Sequence, residues 1–150
     1  MKETPPDYFW PETGMVLAHL LIVRDVDRSR EFYSNVLGAQ VQRDRNPCVM
    51  RFHNSYIVVN EEGGPTDDKP KVDARAPADS KTLSSALLVR VTDVHATYST
   101  WKTRGARFLT EPKDHELEIR CYLQDPDGYL IELGQATGIL DEMGMGAQAP

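Results

Sequence analysis

At 150 residues, 40% hydrophobic and 27% charged, the chain has the size and make-up of one globular domain and is long enough to bury a core. Its net charge is −6, and the arginines gathered between Arg43 and Arg51 are interrupted by Asp44. That excludes the basic stripe a nucleic-acid binder carries, and no run approaches the roughly 20 apolar residues of a membrane span. The two cysteines, Cys48 and Cys121, lie in no Cys-x-x-Cys motif, so both are read as small buried hydrophobes in a reducing, cytoplasmic setting.

The opening stretch, Met1 to Trp10, mixes acids and two prolines and does not read as a secretion signal. Phe9 and Trp10 stand in this arm. Val16 to Val23 is an apolar run with β-branched residues and predicts a buried strand. Asp25 and Asp27 follow as candidate helix caps. Val26, Ser29, Phe32 or Tyr33, and Val36 or Leu37 recur at helical spacing, so Asp27 to Leu37 reads as an amphipathic helix that Gly38 stops. Three strands are predicted next, Gln40–Arg43, Cys48–His53 and Tyr56–Asn60, with turns at Asn46-Pro47 and Asn54-Ser55. Glu61 to Ser80 is rich in Gly, Pro and charge and reads as an exposed linker or lid.

The plan then restarts. Ala86–Val91 is a strand, Asp93 caps a helix bearing Val94, Thr97 or Tyr98, and Trp101 on one face, and Gly105 ends it. Strands are predicted near Arg107–Leu109, Leu117–Leu123 and Tyr129–Leu133, the last two joined by the turn Asp125-Pro126-Asp127-Gly128. The order of elements is therefore a repeat. The fold class is read as α+β: paired βαβββ units forming a curved mixed sheet around a cleft, with the helices outside. Unit one spans about 16–60, a loop 61–84, unit two about 85–134, and a loose tail 135–150, all in a single domain.

VRDVDRSREFYSNVLGAQV near the start and DPDGYLIEL, Asp125 to Leu133, near the end resemble the vicinal oxygen chelate superfamily. That group contains glyoxalase I, bleomycin-resistance proteins, fosfomycin-resistance enzymes and extradiol dioxygenases. The resemblance implies a divalent metal held by four side chains, on the first and last strand of each unit. Carried onto this chain, those positions are Ala18, Val58, Ala86 and Glu132, of which only Glu132 is a ligand. His19 is one residue from the first position, and a shift of one turns a strand side chain to the other face. No cofactor is favoured. The alternative is a divalent metal (Zn, Ni, Mn or Fe) on His19 and Glu132. His53, His95 and His115 are read as lying in a turn, on an exposed helix and in a loop.

The period of two along a strand places other polar residues together. Leu117, Ile119, Cys121 and Leu123 are expected to face the helices, and Glu118, Arg120, Tyr122 and Gln124 the cleft. Arg90, Glu132, Asn60 and Tyr56 are expected on the same interior. The candidate ligand-binding set is Arg90, Glu118, Arg120, Tyr122, Asn60 and Tyr56, with Glu132 as a candidate catalytic base. Three functions follow. One is a small-molecule binder without the full metal site, of the bleomycin-resistance kind, for which the acidic net charge would suit a cationic ligand. The second is a metal-dependent lyase, isomerase or dioxygenase resembling glyoxalase I. The third is a metal-free enzyme with Glu132 or Glu118 as base and Arg90 or Arg120 stabilising an anion. A homodimer is expected from the resemblance alone.

Overall fold

The computed structural model describes residues 14–136. The expectations for Phe9, Trp10 and the tail beyond Ala136 fall outside the described residues. The fold is α+β, and the chain divides between Ala78 and Asp79 into two compact units, a boundary inside the expected loop.

In the first unit, β1 (Ala18–Val23) lies parallel to β4 (Ser55–Glu61), which is followed across the sheet by β3 (Cys48–Phe52) and β2 (Gln40–Arg43). Leu21, Val23, Ile57, Val59, Cys48, Met50 and Phe52 are all buried. The register puts them on one face, which α1 (Val26–Glu31) covers. Asp25 caps α1 by accepting the Arg28 amide at 3.0 Å, a contact worth about 1 kcal/mol.

The predicted helix over Asp27–Leu37 is not one regular helix. After Glu31 the chain widens into a π-helical turn, Phe32–Val36. There the Leu37 amide reaches the Phe32 carbonyl at 3.3 Å, and the Ser34 hydroxyl donates back to the Arg30 carbonyl at 2.7 Å. Of the alternatives the spacing offered, Tyr33 and Leu37 are the buried ones. Gly38, with φ +91°, ends the segment as expected.

The second unit repeats the arrangement. β5 (Leu87–Arg90) lies parallel to β9 (Leu130–Ala136), which pairs with β8 (Glu118–Gln124), which pairs in turn with both β6 (Arg107–Phe108) and β7 (Lys113–His115). β7 was not predicted, and His115 is its last residue rather than part of a loop. α2 (Val94–Thr103) is capped by Asp93, which accepts the Ala96 amide at 2.9 Å. The Gln135 side chain accepts the Val94 amide at 2.8 Å, which ties α2 to β9. Ile131, Leu133, Cys121 and Leu123 share the helix-side face and are buried with Val94 and Trp101. Leu117 departs from the expected apolar set. It precedes β8 and is 47% exposed. β9 runs two residues past the expected boundary at 134.

The two registers match residue for residue. Leu20 stands five before the cap Asp25 and pairs with Val58, while Leu88 stands five before Asp93 and pairs with Glu132. Ala18 thus corresponds to Ala86, Ile22 to Arg90, Asn60 to Gly134, and Cys48 (opposite Val59) to Cys121 (opposite Leu133).

The segment read as a linker or lid is an ordered loop over its first part. The Gly63 and Ala74 backbones bridge, and the Glu62 carboxylate accepts the Ala76 amide at 3.0 Å. Ala76 is buried, and Arg24 donates to the Pro77 carbonyl at 2.7 Å. No described helix is long and apolar enough to cross a membrane.

Candidate functional site

In the second unit, the sheet face away from α2 carries a connected set of polar side chains. Period two puts Glu118, Arg120, Tyr122 and Gln124 of β8 on it, with Leu130, Glu132 and Gly134 of β9 and Leu88 and Arg90 of β5. Tyr122 and Glu132 are direct cross-strand partners. The Tyr122 hydroxyl donates to Glu132 Oε2 at 2.5 Å. Arg90 Nη2 stands 3.2 Å from Glu132 Oε1, while Arg90 Nη1 is hydrogen-bonded to Glu118 Oε2. The other Glu118 oxygen takes Arg120 Nη1 at 2.5 Å. The chain of contacts runs Arg120–Glu118–Arg90–Glu132–Tyr122.

Burial is graded along it. The Glu132 and Glu118 side chains are 9% and 14% exposed, whereas those of Arg90 and Arg120 are 38% and 36% exposed. Carboxylates so enclosed need partners, and the arginines supply them. Burial pushes the Glu118 carboxyl up, but the hydrogen bonds from Arg120 and Arg90 outweigh it and hold the group below its ordinary range. The hydrogen bond to Glu132, reinforced by burial, raises the Tyr122 phenol. Glu132 Oε1 accepts no hydrogen bond among the described residues, although it is buried. The 3.2 Å approach of Arg90 is an ion pair without hydrogen-bond alignment.

Gly134 makes this arrangement possible. It separates Arg120 from Arg90 across the sheet, and a Cβ there would stand 3.2 Å from Arg90 Cζ and closer still to Nη1. The guanidinium lies in the space a side chain would fill.

The other sequence-predicted residues stand in the first unit. Tyr56 sits between Ala18 and Arg51 on β4. Asn60, exposed near the end of that strand, helps line a small pocket of about 150 Å³ with Val26, Arg45, Asn46 and Glu61. His19 lies opposite Ile57 on the face of Leu21 and Val23, where burial lowers its imidazole. Ile22, Val49 and Val58 of the first unit stand where Arg90, Tyr122 and Glu132 stand in the second, so at these three positions the first unit is apolar where the second is polar.

The residues do not fit the four-ligand metal site of the family's enzymes. Ala18, Val58 and Ala86 bring no donor atom. The fourth position, Glu132, is engaged by a phenol and faces a guanidinium, whose charge opposes a divalent cation. No group of three or more His, Cys, Asp or Glu side chains that could hold a metal occurs among the described residues. Sequence reasoning missed Gly134 and Lys113. A glycine in a strand signals close approach of something to the backbone, and that was the available clue to the first.

The profile of the Glyoxalase/Bleomycin resistance protein/Dioxygenase superfamily matches residues 16–133. A probable lactoylglutathione lyase of Vibrio parahaemolyticus serotype O3:K6 is 27% identical over 125 residues, covering 81% of this chain and 91% of that protein. Among solved structures, a glyoxalase/bleomycin resistance protein/dioxygenase from Nocardioides superposes with a TM-score of 0.67 at 19% identity, covering 91% of this chain and 89% of its own. TnmS3, an antibiotic binding protein from Streptomyces sp. CB03234, superposes with a TM-score of 0.61 at 20% identity, covering 85% of this chain and 100% of its own. At these identities the two structures share the fold.

Proposed function

The chain belongs to the Glyoxalase/Bleomycin resistance protein/Dioxygenase superfamily, and from that footing we propose that it binds a small organic molecule on the charged sheet face of its second unit, without the four-ligand metal site. The observation that carries this reading is the engagement of Glu132 by Tyr122 and Arg90. Where an enzyme of the family would offer a carboxylate to a cation, this chain turns it to Tyr122 and Arg90. A connected polar set with two half-exposed arginines is built to exchange its hydrogen bonds with a ligand. That a protein of the same fold is described as an antibiotic binding protein accords with binding as the task.

The test is thermal stabilisation of the purified chain by a library of small charged compounds, alongside its metal content by mass spectrometry. Hits whose stabilisation is lost in Arg120→Gln and Tyr122→Phe are expected, with metal far below one equivalent. Stoichiometric metal that disappears in Glu132→Ala would refute the proposal.

A second reading is a metal-free enzyme with Glu132 as base. It is favoured by the buried Oε1 that accepts no hydrogen bond; the lyase named among the relatives speaks for catalysis and not for its being metal-free. Turnover of S-lactoylglutathione, without added metal and lost in Glu132→Gln, would establish it. Binding without turnover, or turnover only with added Zn, Ni, Mn or Fe, would count against it.

A further inference from the structure

The chain's net charge of −6 does not carry over to this face. Cross-strand pairing aligns Lys113 on β7 with Arg120 on β8, Arg120 with Gly134 on β9, and Gly134 with Arg90 on β5. Directly opposed residues project to the same side, so one row across four strands reads Lys, Arg, Gly, Arg. Three cations, Lys113, Arg120 and Arg90, meet two carboxylates, Glu118 and Glu132, which leaves one positive charge over.

The cations are not equally committed. Arg90 places one terminal nitrogen on Glu118 and the other by Glu132, and its guanidinium is seated over Gly134. It acts as a brace. Arg120 uses only Nη1, on Glu118. Its Nε and Nη2, and the Lys113 ammonium, have no hydrogen bond or ion pair among the described residues. Both side chains reach solvent: Lys113 is exposed and Arg120 is so in part. Lys113 sits on a three-residue strand paired only to β8, at the rim of the set.

We propose that the ligand of this face is an organic anion. Its carboxylate or phosphoryl oxygens are held by the spare edge of Arg120 and by Lys113, while Arg90 stays locked between the two glutamates. This deepens the reading given under Proposed function and rests on it. It also reverses the expectation, drawn from net charge, of a cationic ligand. The chemistry is that of a planar guanidinium with two parallel donors free, assisted by a mobile point charge.

The experiment is isothermal titration of the whole chain with four probes of one shape and different charge: phenylphosphonate, benzoate, benzamide and benzamidine. Each is measured at low and high salt. Phenylphosphonate and benzoate are expected to bind, weakening as salt rises, and benzamide and benzamidine to bind at least about tenfold more weakly. Arg120→Gln is expected to weaken phenylphosphonate by roughly tenfold to a hundredfold, the loss of charge-assisted hydrogen bonds. Lys113→Gln weakens it several-fold. Lys102→Gln, the same charge change on α2, leaves it unaltered. Circular dichroism of each variant confirms that it is folded.

Benzamidine or benzamide binding more tightly than the anions, with that binding lost in Tyr122→Phe, would overturn the anion assignment and leave the small-molecule site standing. Anion binding indifferent to Arg120→Gln would overturn the placement of the grip. Binding of none of the four would overturn both the anion assignment and the site.

Discussion

Replacing Gly134 by alanine tests whether Arg90 is held as a brace. The backbone at Gly134 is ordinary strand, so alanine meets no conformational barrier there. What it meets is the Arg90 guanidinium, with Cζ at 3.2 Å and Nη1 nearer. A flexible side chain moves in preference to a sheet, so the guanidinium leaves, and the contacts to Glu118 and Glu132 go with it. A hydrogen bond to a charged group contributes about 1.5–3 kcal/mol. With the Arg90 side chain 38% exposed, screening brings the loss to about 1–2 kcal/mol. Alanine in place of glycine in a strand returns about 0.5–1 kcal/mol. The variant should therefore be less stable by up to about 1.5 kcal/mol. In an Arg90→Met background nothing is displaced, and the same substitution should stabilise by about 0.5–1 kcal/mol. Urea unfolding of all four proteins, followed by circular dichroism, gives the coupling, expected at about 1–2 kcal/mol. Equal destabilisation in both backgrounds would refute the assignment, because the clash would then lie elsewhere.

Three further predictions concern titration. Tyr122 has a raised phenol, so its bond to Glu132 contributes fully below the ordinary value of 10.0 and is lost as pH climbs through the raised one. Absorbance titration should show a late-titrating tyrosine that moves earlier in Glu132→Gln. Glu118 behaves oppositely: its contribution is complete above 4.5 and disappears as pH falls through the lowered value. Stability measured from pH 6 downward should fall less steeply in Glu118→Gln, and an unchanged slope would show that the arginines do not hold this carboxylate. Burial raises both thiols, that of Cys121 to about 11, so a disulfide reagent at neutral pH should label them no faster than the chain opens. Fast labelling of either would contradict the packing.

The elements were legible where local chemistry alone decides them. Asp25 and Asp93 cap because a short carboxylate reaches the third amide beyond it, and Gly38 and Gly105 stop helices because each takes positive φ. The π-helical turn was not legible. The period offered Tyr33 and Leu37 among the buried choices, but nothing in it signals the wider turn that the Leu37 amide makes with the Phe32 carbonyl. β7 was missed because Lys113-Asp114-His115 is polar throughout, so an edge strand of this kind leaves no alternation to read. The side of β8 on which each residue lies could be read from period two. The pairing of Arg90 with Glu118 and Glu132 could not, since a register between β5, β8 and β9 belongs to the assembled sheet and to no single segment.

The matched registers of the two units give the paired strand residues of one an address in the other. Arg90, Tyr122, Glu132 and Gly134 occupy addresses that in the first unit are Ile22, Val49, Val58 and Asn60. The scaffold is thus a template read twice: at three of these four addresses the second unit is polar where the first is apolar, while the buried pair Cys48 and Cys121 keeps the same letter in both copies. Rewriting those four positions of the first unit in the alphabet of the second would ask how much of the charged set is dictated by the frame and how much by its neighbours.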